Sequence, residues 1–202
     1  MSRKEERVYE FDFVHDTQKV FRSLMKAMAN PGTAEDIGEQ SAKFGERAEV
    51  CGALAAVGCT LLDSEELVYV EKNPALASEL HDLTLCRSGS LEDADYVFLS
   101  SELNYGSLEQ ILRNVKKGTY KDPQDSATVV IFCRDIEGDI PMTISGPGVK
   151  GDLEISVTQY LKTIVQLRQS LETEYPLGTD LIFATRKGKI MCFPRLCRVR
   201  EQ

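Results

Sequence analysis

The chain has no tryptophan, only two histidines, and a formal net charge of −8 over its 202 residues. Each shortage excludes something. With no basic excess to neutralise phosphates, nucleic acid is not expected as the main partner. No stretch approaches the roughly 20 apolar residues of a membrane span. The opening MSRKEERVYEF is charged and lacks the apolar core of a secretory signal, so a cytoplasmic protein is expected. Six cysteines are present (Cys51, Cys59, Cys86, Cys133, Cys192 and Cys197), but none forms a Cys-x-x-Cys pair and the histidines lie far from most of them. They are read as reduced, buried thiols, with no metal site. Gly-x-Ser-x-Gly, His-Glu-x-x-His and Walker motifs are also missing, so no catalytic constellation is complete in the sequence.

What is present is ordinary globular composition, 42% apolar and 28% charged, enough for one domain spanning 1–202 with a substantial core. Phe21, Leu24, Met25 and Met28 recur at helical spacing as a core-facing stripe after Asp16, a candidate N-cap, and Asn30-Pro31-Gly32 stops that helix. Residues 33–46 read as a loop with a short strand near Ile37. A helix then runs through 47–62, made thin by Gly52, Ala53, Ala55, Ala56 and Gly58. Leu67–Val70 and Tyr96–Leu99 read as strands, and Pro74 opens a helix carrying a solvated His81. Ser107 is expected to cap a helix with Leu108, Ile111, Leu112 and Val115 inward. Residues 116–126 are loop-like. Ala127–Cys133 is a β-branched run suited to a strand buried on both faces. Met142–Ser145 is another strand. The longest helix is expected over Ile155–Leu171, with Gln166, Arg168, Gln169 and Glu172 outward. Strands and helices intermix throughout, so the predicted class is α/β, one mixed sheet with helices on both faces.

Tyr175–Arg195 predicts a β-hairpin, with Leu181–Phe183 and Ile190–Phe193 as its arms and Arg186-Lys187-Gly188-Lys189 at its tip. A two- or four-residue loop, the favoured case, sets Asp180 opposite Arg195. A three-residue loop sets Asp180 opposite Pro194 and only diagonal to Arg195. Either way a carboxylate and a guanidinium share one end. The pair is either a structural clamp or a holder for an arginine that reaches a polyphosphate or a partner. The second candidate is Ser145-Gly146-Pro147-Gly148, a strand end whose backbone N–H groups suit either an anion or simple turn geometry. Lys150 nearby has no inferable pocket to activate it as a Schiff base.

Three blocks, taken in series, resemble the PhnH family, a subunit of the bacterial carbon–phosphorus lyase system. They are Val20–Ala29 with Asn30-Pro31-Gly32, Ile144–Gly148, and Pro176–Ile182 with Pro194-Arg195. The family continues Pro-Arg with small polar residues, where this chain has Leu196 and Cys197. The resemblance implies a homodimeric α/β fold similar to pyridoxal-phosphate-dependent transferases, without the cofactor or its lysine. It implies a non-catalytic or site-supporting subunit of a core complex with PhnG, PhnI and PhnJ, working also with the PhnL protein. That complex makes ribose 1-phosphonate 5-triphosphate from ATP and an alkylphosphonate, a transferase step that precedes carbon–phosphorus lyase cleavage on PhnJ. No complete active site, metal or cofactor is then expected on this chain. Ser145, Gly146, Gly148 and Arg195 become the anion-binding or interface candidates, with Gly178, Asp180 and Pro194 as support. A homodimer would pair through the helix at 47–62 or that at 155–171. The competing readings are a stand-alone phosphate- or nucleotide-binding protein and a pyridoxal-phosphate-type transferase.

Overall fold

The computed structural model describes residues 9–171 and 174–200; Glu172, read as outward from helical spacing, lies outside them. The chain begins with α1 (His15–Ala29), β1 (Glu35–Asp36), α2 (Gly38–Ala42), α3 (Gly52–Leu61), β2 (Leu67–Glu71) and α4 (Pro74–Thr84). Then come β3 (Arg87–Ser88), β4 (Tyr96–Leu99), α5 (Tyr105–Asn114), β5 (Thr128–Cys133), β6 (Glu137–Ser145) and β7 (Asp152–Val157). The chain closes with α6 (Gln159–Ser170), β8 (Asp180–Thr185), β9 (Lys189–Phe193) and β10 (Arg198–Arg200). Seven strands form one mixed sheet in the order β1-β9-β8-β5-β4-β2-β3, parallel from β8 through β3 and antiparallel at β9 and β1. A second, antiparallel sheet runs β10-β6-β7.

The period-two alternation of the strands divides the core. Val129, Ile131, Leu181, Phe183, Met191 and Phe193 face α5, α6 and the small sheet. Val130, Ile182, Ala184, Ile190 and Cys192 face α1, α3 and α4. β5 lies in the middle and is apolar on both faces, which is why its sequence is nearly continuous in β-branched residues. α3 is buried all along Gly52–Gly58, and a Cβ on Gly52 would lie 2.2 Å from the Ser41 carbonyl oxygen. Its small residues therefore serve close packing inside the fold. It offers no dimer surface, contrary to one of the two expectations.

Several local expectations are corrected. The buried stripe of α1 is Val20, Leu24 and Ala27, while Phe21 and Met25 are exposed. Asp16 does not cap that helix. It lies within the first turn, accepts the Asp12 N–H at 2.8 Å and is paired with Lys43 at 2.9 Å. Asn104, not Ser107, caps α5; its side chain accepts the Ser107 N–H at 3.0 Å. Ile155–Val157 belongs to β7, so α6 is shorter than expected and α1 is the longest described helix. Thr158 separates strand from helix by capping α6, its hydroxyl accepting the Leu161 N–H at 3.3 Å.

The β8–β9 hairpin forms in the three-residue register, Leu181 opposite Phe193 and Ala184 opposite Ile190, not the favoured one. Thr185 accepts the Gly188 N–H at 3.0 Å, and Gly188 sits at φ +84°. That is a type I turn closed by a left-handed residue, the usual three-residue solution. Gly188 is also pressed against α2: a Cβ there would lie 2.4 Å from Gly38 Cα.

Candidate functional site

β8 begins and β9 ends at one end of the large sheet, β10 of the small sheet starts after a short connection from β9, and Arg168 of α6 reaches into their junction. Its Nη1 donates to the carbonyls of Thr179 (3.2 Å), Phe193 (2.7 Å) and Pro194 (3.0 Å), and its Nη2 to that of Cys197 (2.6 Å). Only 8% of Arg168 is exposed. Burial pushes its pKa down to about 10, so it remains a cation at neutral pH. The chain thus makes its passage from the large sheet to the small one around one guanidinium.

Beside that junction, Asp180 and Arg195 pair despite the shifted register. Asp180 Oδ2 accepts from Arg195 Nη2 at 2.6 Å, and Oδ1 accepts the Arg195 main-chain N–H at 2.7 Å. The diagonal geometry suffices because the guanidinium is long enough to reach back across the strands. Arg195 Nη1 donates to the Pro123 carbonyl, tying in the loop before β5. Gly178 packs its backbone under Arg195 and donates its N–H to the Lys117 carbonyl at 3.1 Å. The Pro194 carbonyl accepts from both Arg168 and the Cys197 N–H. Gly178, Asp180, Pro194 and Arg195 are therefore brought together.

Ser145, Gly146 and Gly148 lie one strand away. Ser145 pairs with Arg198 of β10, and Gly146 lies against the Leu196 carbonyl. Gly148 meets the end of α1, where a Cβ would lie 2.5 Å from the Ala29 carbonyl oxygen. The turn links β6 to β7 in the small antiparallel sheet, closed by Val149 N–H to the Gly146 carbonyl at 3.0 Å. It does not sit at the carboxyl ends of the parallel strands, where open α/β sheets usually bind ligands.

Sequence reasoning missed three side chains at this junction. Its polarity places Arg168 on the outer face of its helix, yet Leu161, Ile164, Val165 and Arg168 form one inward stripe. Lys117 sits against α5 and donates from Nζ to the Leu112 carbonyl; burial pushes its pKa down to about 8. Thr179, 1% exposed, has an Oγ1 with no hydrogen-bond partner. The i, i+3, i+4, i+7 spacing was a signal for Arg168; neither of the other two had one.

Elsewhere the reactive side chains are quiet. All six cysteines are unpaired thiols, and burial pushes Cys59 and Cys133 up to about 12 and Cys192 higher still. His81 is exposed, with Nδ1 2.8 Å from the Cys86 carbonyl oxygen. Among the described residues, no group of three or more His, Cys, Asp or Glu is placed to hold a metal ion, and no helix is long and apolar enough to cross a membrane.

A family model described as bacterial phosphonate metabolism protein (PhnH) matches residues 10–200. The chain is 26% identical over 191 residues to the alpha-D-ribose 1-methylphosphonate 5-triphosphate synthase subunit PhnH of Rhizobium meliloti (strain 1021), covering 95% of this chain and 94% of that protein. It is 25% identical over 175 residues to the putative C-P lyase subunit protein HtxG of Stutzerimonas stutzeri, covering 83% and 78%.

Proposed function

This chain belongs to the PhnH family of bacterial phosphonate metabolism proteins, and from that premise we propose that it is a supporting, non-catalytic subunit of a carbon–phosphorus lyase assembly. The observation that carries the reading is the extent of the match, residues 10–200, which takes in the whole junction around Arg168 and Arg195. The Rhizobium meliloti relative is named as a subunit of a synthase, and the Stutzerimonas stutzeri one as a putative lyase subunit. Carried over, the role is to support formation of ribose 1-phosphonate 5-triphosphate from ATP and an alkylphosphonate. Cys59, Cys133 and Cys192 support a non-catalytic part, since burial raises their pKa values and keeps them protonated.

The same proposal covers one PhnH-like domain over 1–202, a cytoplasmic location, and kinship with the pyridoxal-phosphate-dependent transferase fold without its cofactor. It also covers a homodimer and assembly with PhnG, PhnI and PhnJ, with the PhnL protein working alongside. Asp180, Gly178 and Pro194 then support Arg195, while Ser145, Gly146 and Gly148 offer backbone to a partner or anion. Exposed Phe13, Val14, Phe21 and Met25 at and before α1 supply an apolar surface of the kind assembly uses. Co-expression with those partners, followed by tag capture on this chain and sedimentation, tests the reading. A stable multi-subunit species is expected, with no turnover of ATP and methylphosphonate by this chain alone. Failure to co-elute, or turnover by the isolated chain, overturns it.

A further inference from the structure

Each sheet ends in two edge strands, and three of these four edges are short or filled. β1 and β3, which border the large sheet, are two residues long. β10 borders the small sheet, but the Gln169 side chain occupies its edge. Oε1 accepts the Val199 N–H at 2.7 Å, and Nε2 donates to the Val199 carbonyl at 2.9 Å. One amide thus makes the two bonds that a neighbouring strand would make. β7 is the fourth edge, six residues from Asp152 to Val157, with no proline to break it.

The ladder fixes which way β7 turns its backbone. Because Val199 gives its main-chain groups to Gln169, the pairs Arg198–Ser145 and Arg200–Thr143 carry the bonds between β10 and β6. Alternation then turns Met142 and Ile144 of β6 toward β7, where they pair with Ile155 and Leu153. Pro141, opposite Ser156, agrees: it has no N–H to give, and its carbonyl accepts from Lys162 Nζ at 2.8 Å. The N–H and C=O groups of Glu154 and Ser156 therefore point outward, and they have no hydrogen-bond partner among the described residues.

The side chains of β7 alternate as well. On the inner face Val157 is buried and Ile155 half-buried, while Leu153, next in line, is 40% exposed. On the outer face Asp152 is answered by Arg200 at 3.0 Å, and Glu154 has no cation beside it among the described residues. Pairing β7 with a second copy about Glu154 sets two Glu154 carboxylates opposite one another. Pairing about Leu153 sets Glu154 opposite Asp152. Like charges directly opposite are destabilising, so this edge repels its own likeness and favours a strand of the other sign. A guard against aggregation accounts for the carboxylates. It does not account for the exposed Leu153 that extends the inner apolar row.

We propose that β7 takes up an extended segment of another protein as a further strand of the small sheet, one that alternates lysine or arginine with apolar residues. Main-chain bonds to Glu154 and Ser156 hold the segment, its cations face Glu154, and its apolar side chains lie beside Leu153 and Ile155. A capped peptide of alternating lysine and valine, matched to β7 in length, is the probe, titrated to millimolar concentration against the full chain at low salt. Amide hydrogen exchange is expected to slow at Glu154 and Ser156 as the peptide saturates, and a glutamate–valine peptide is expected to leave both unchanged. Ser156→Pro, which removes an outward N–H and spares the bonds to β6, is expected to weaken binding at least tenfold. Glu154→Lys, at an exposed side chain, is expected to do the same and reads the contact even where the proline disturbs the sheet. No protection at Glu154 and Ser156, equal binding of the two peptides, or unchanged affinity in Glu154→Lys overturns the proposal. A dimer of the wild-type chain that Ser156→Pro dissociates in sedimentation would assign the edge to a second copy and overturn it too. The peptide is read on this chain alone, so the proposal fails separately from co-purification with the assembly.

Discussion

Glu79 and Arg168 lie on opposite faces of the large sheet, and different kinds of partner satisfy them. On the face covered by α1–α4, Glu79 is 1% exposed and meets Arg47 through two bonds, 2.9 Å and 2.5 Å, with the Tyr9 hydroxyl as a third donor. The Arg47 guanidinium also stands over the Tyr9 ring. Asp16, also 1% exposed, meets Lys43 there. Burial pushes the Asp16 carboxyl up, but the Asp12 N–H and Lys43 more than offset it and hold it below the usual range. On the face covered by α5, α6 and the small sheet, Arg168 meets carbonyls. A neutralised pair ends its own field within a few ångströms. A cation held by dipoles does not, and projects positive potential into whatever cavity adjoins it. The buried carboxylates Glu79 and Asp16 are therefore neutralised by their own cations, whereas the charge of Arg168 is solvated and not cancelled.

Three substitutions test that contrast. The largest effect is expected from Glu79→Gln, which leaves Arg47 buried without a carboxylate. Arg47 keeps 29% side-chain exposure and so recovers some water, which places the loss near the low end for a broken buried pair, about 3 kcal/mol by urea denaturation. A loss below about 1 kcal/mol would mean the pair is screened like a surface one. Arg168→Met comes next, at about 2 kcal/mol in the same assay. Carbonyls lose their donor, but an uncancelled buried charge is removed with it, and the two partly offset. A loss exceeding that of Glu79→Gln would show that the carbonyl cage is the stronger device.

The smallest effect is expected from Lys117→Met, read as a function of pH. Burial holds Lys117 near 8 against an ordinary 10.5. Between those values the unfolded chain binds more protons than the folded one, so this group's contribution to stability grows as pH rises and is lost as pH falls through 8. Arg168, Arg195 and Arg198 share its cleft, and Asp180 stands behind Arg195. Replacing the amine should raise the melting temperature by about 2 °C at pH 7 and by nothing at pH 10.5, measured by calorimetry. An equal shift at both pH values would assign the change to packing and leave the charge out of it.

The sequence was legible where one element decides its own shape. β2 and β4 announce themselves as short apolar runs, β5 as a β-branched one, and α4 by Pro74 at its first turn. Asp180 and Arg195 could be paired in advance because a hairpin keeps them near one another in either register. The register itself turned on one backbone choice at Gly188, which contact with Gly38 helps to fix. β7 was absorbed into a helix because Ile155 and Val157 fit a helical stripe as well as a strand's alternation. Arg168, Lys117 and Thr179 share a wall only because α6, the loop after α5 and the start of β8 converge in space. No local pattern encodes that convergence.

β1 is two residues long, and its only described strand partner is β9, with Glu35 opposite Ile190. Val20, Leu24 and Ala27 of α1 belong to the same buried cluster as Ile190 and Cys192. During synthesis the first helix is therefore made long before the strand it rests on. At about 5–20 residues per second, the ribosome takes on the order of ten to thirty seconds to travel from Glu35 to Ile190. For that interval the α1 stripe has no β9 beneath it, and a nascent chain stopped short of β9 would present it to chaperones or to other unfinished copies. Ordering in time thus runs opposite to ordering in space: the opening of the chain is among the last parts to be completed.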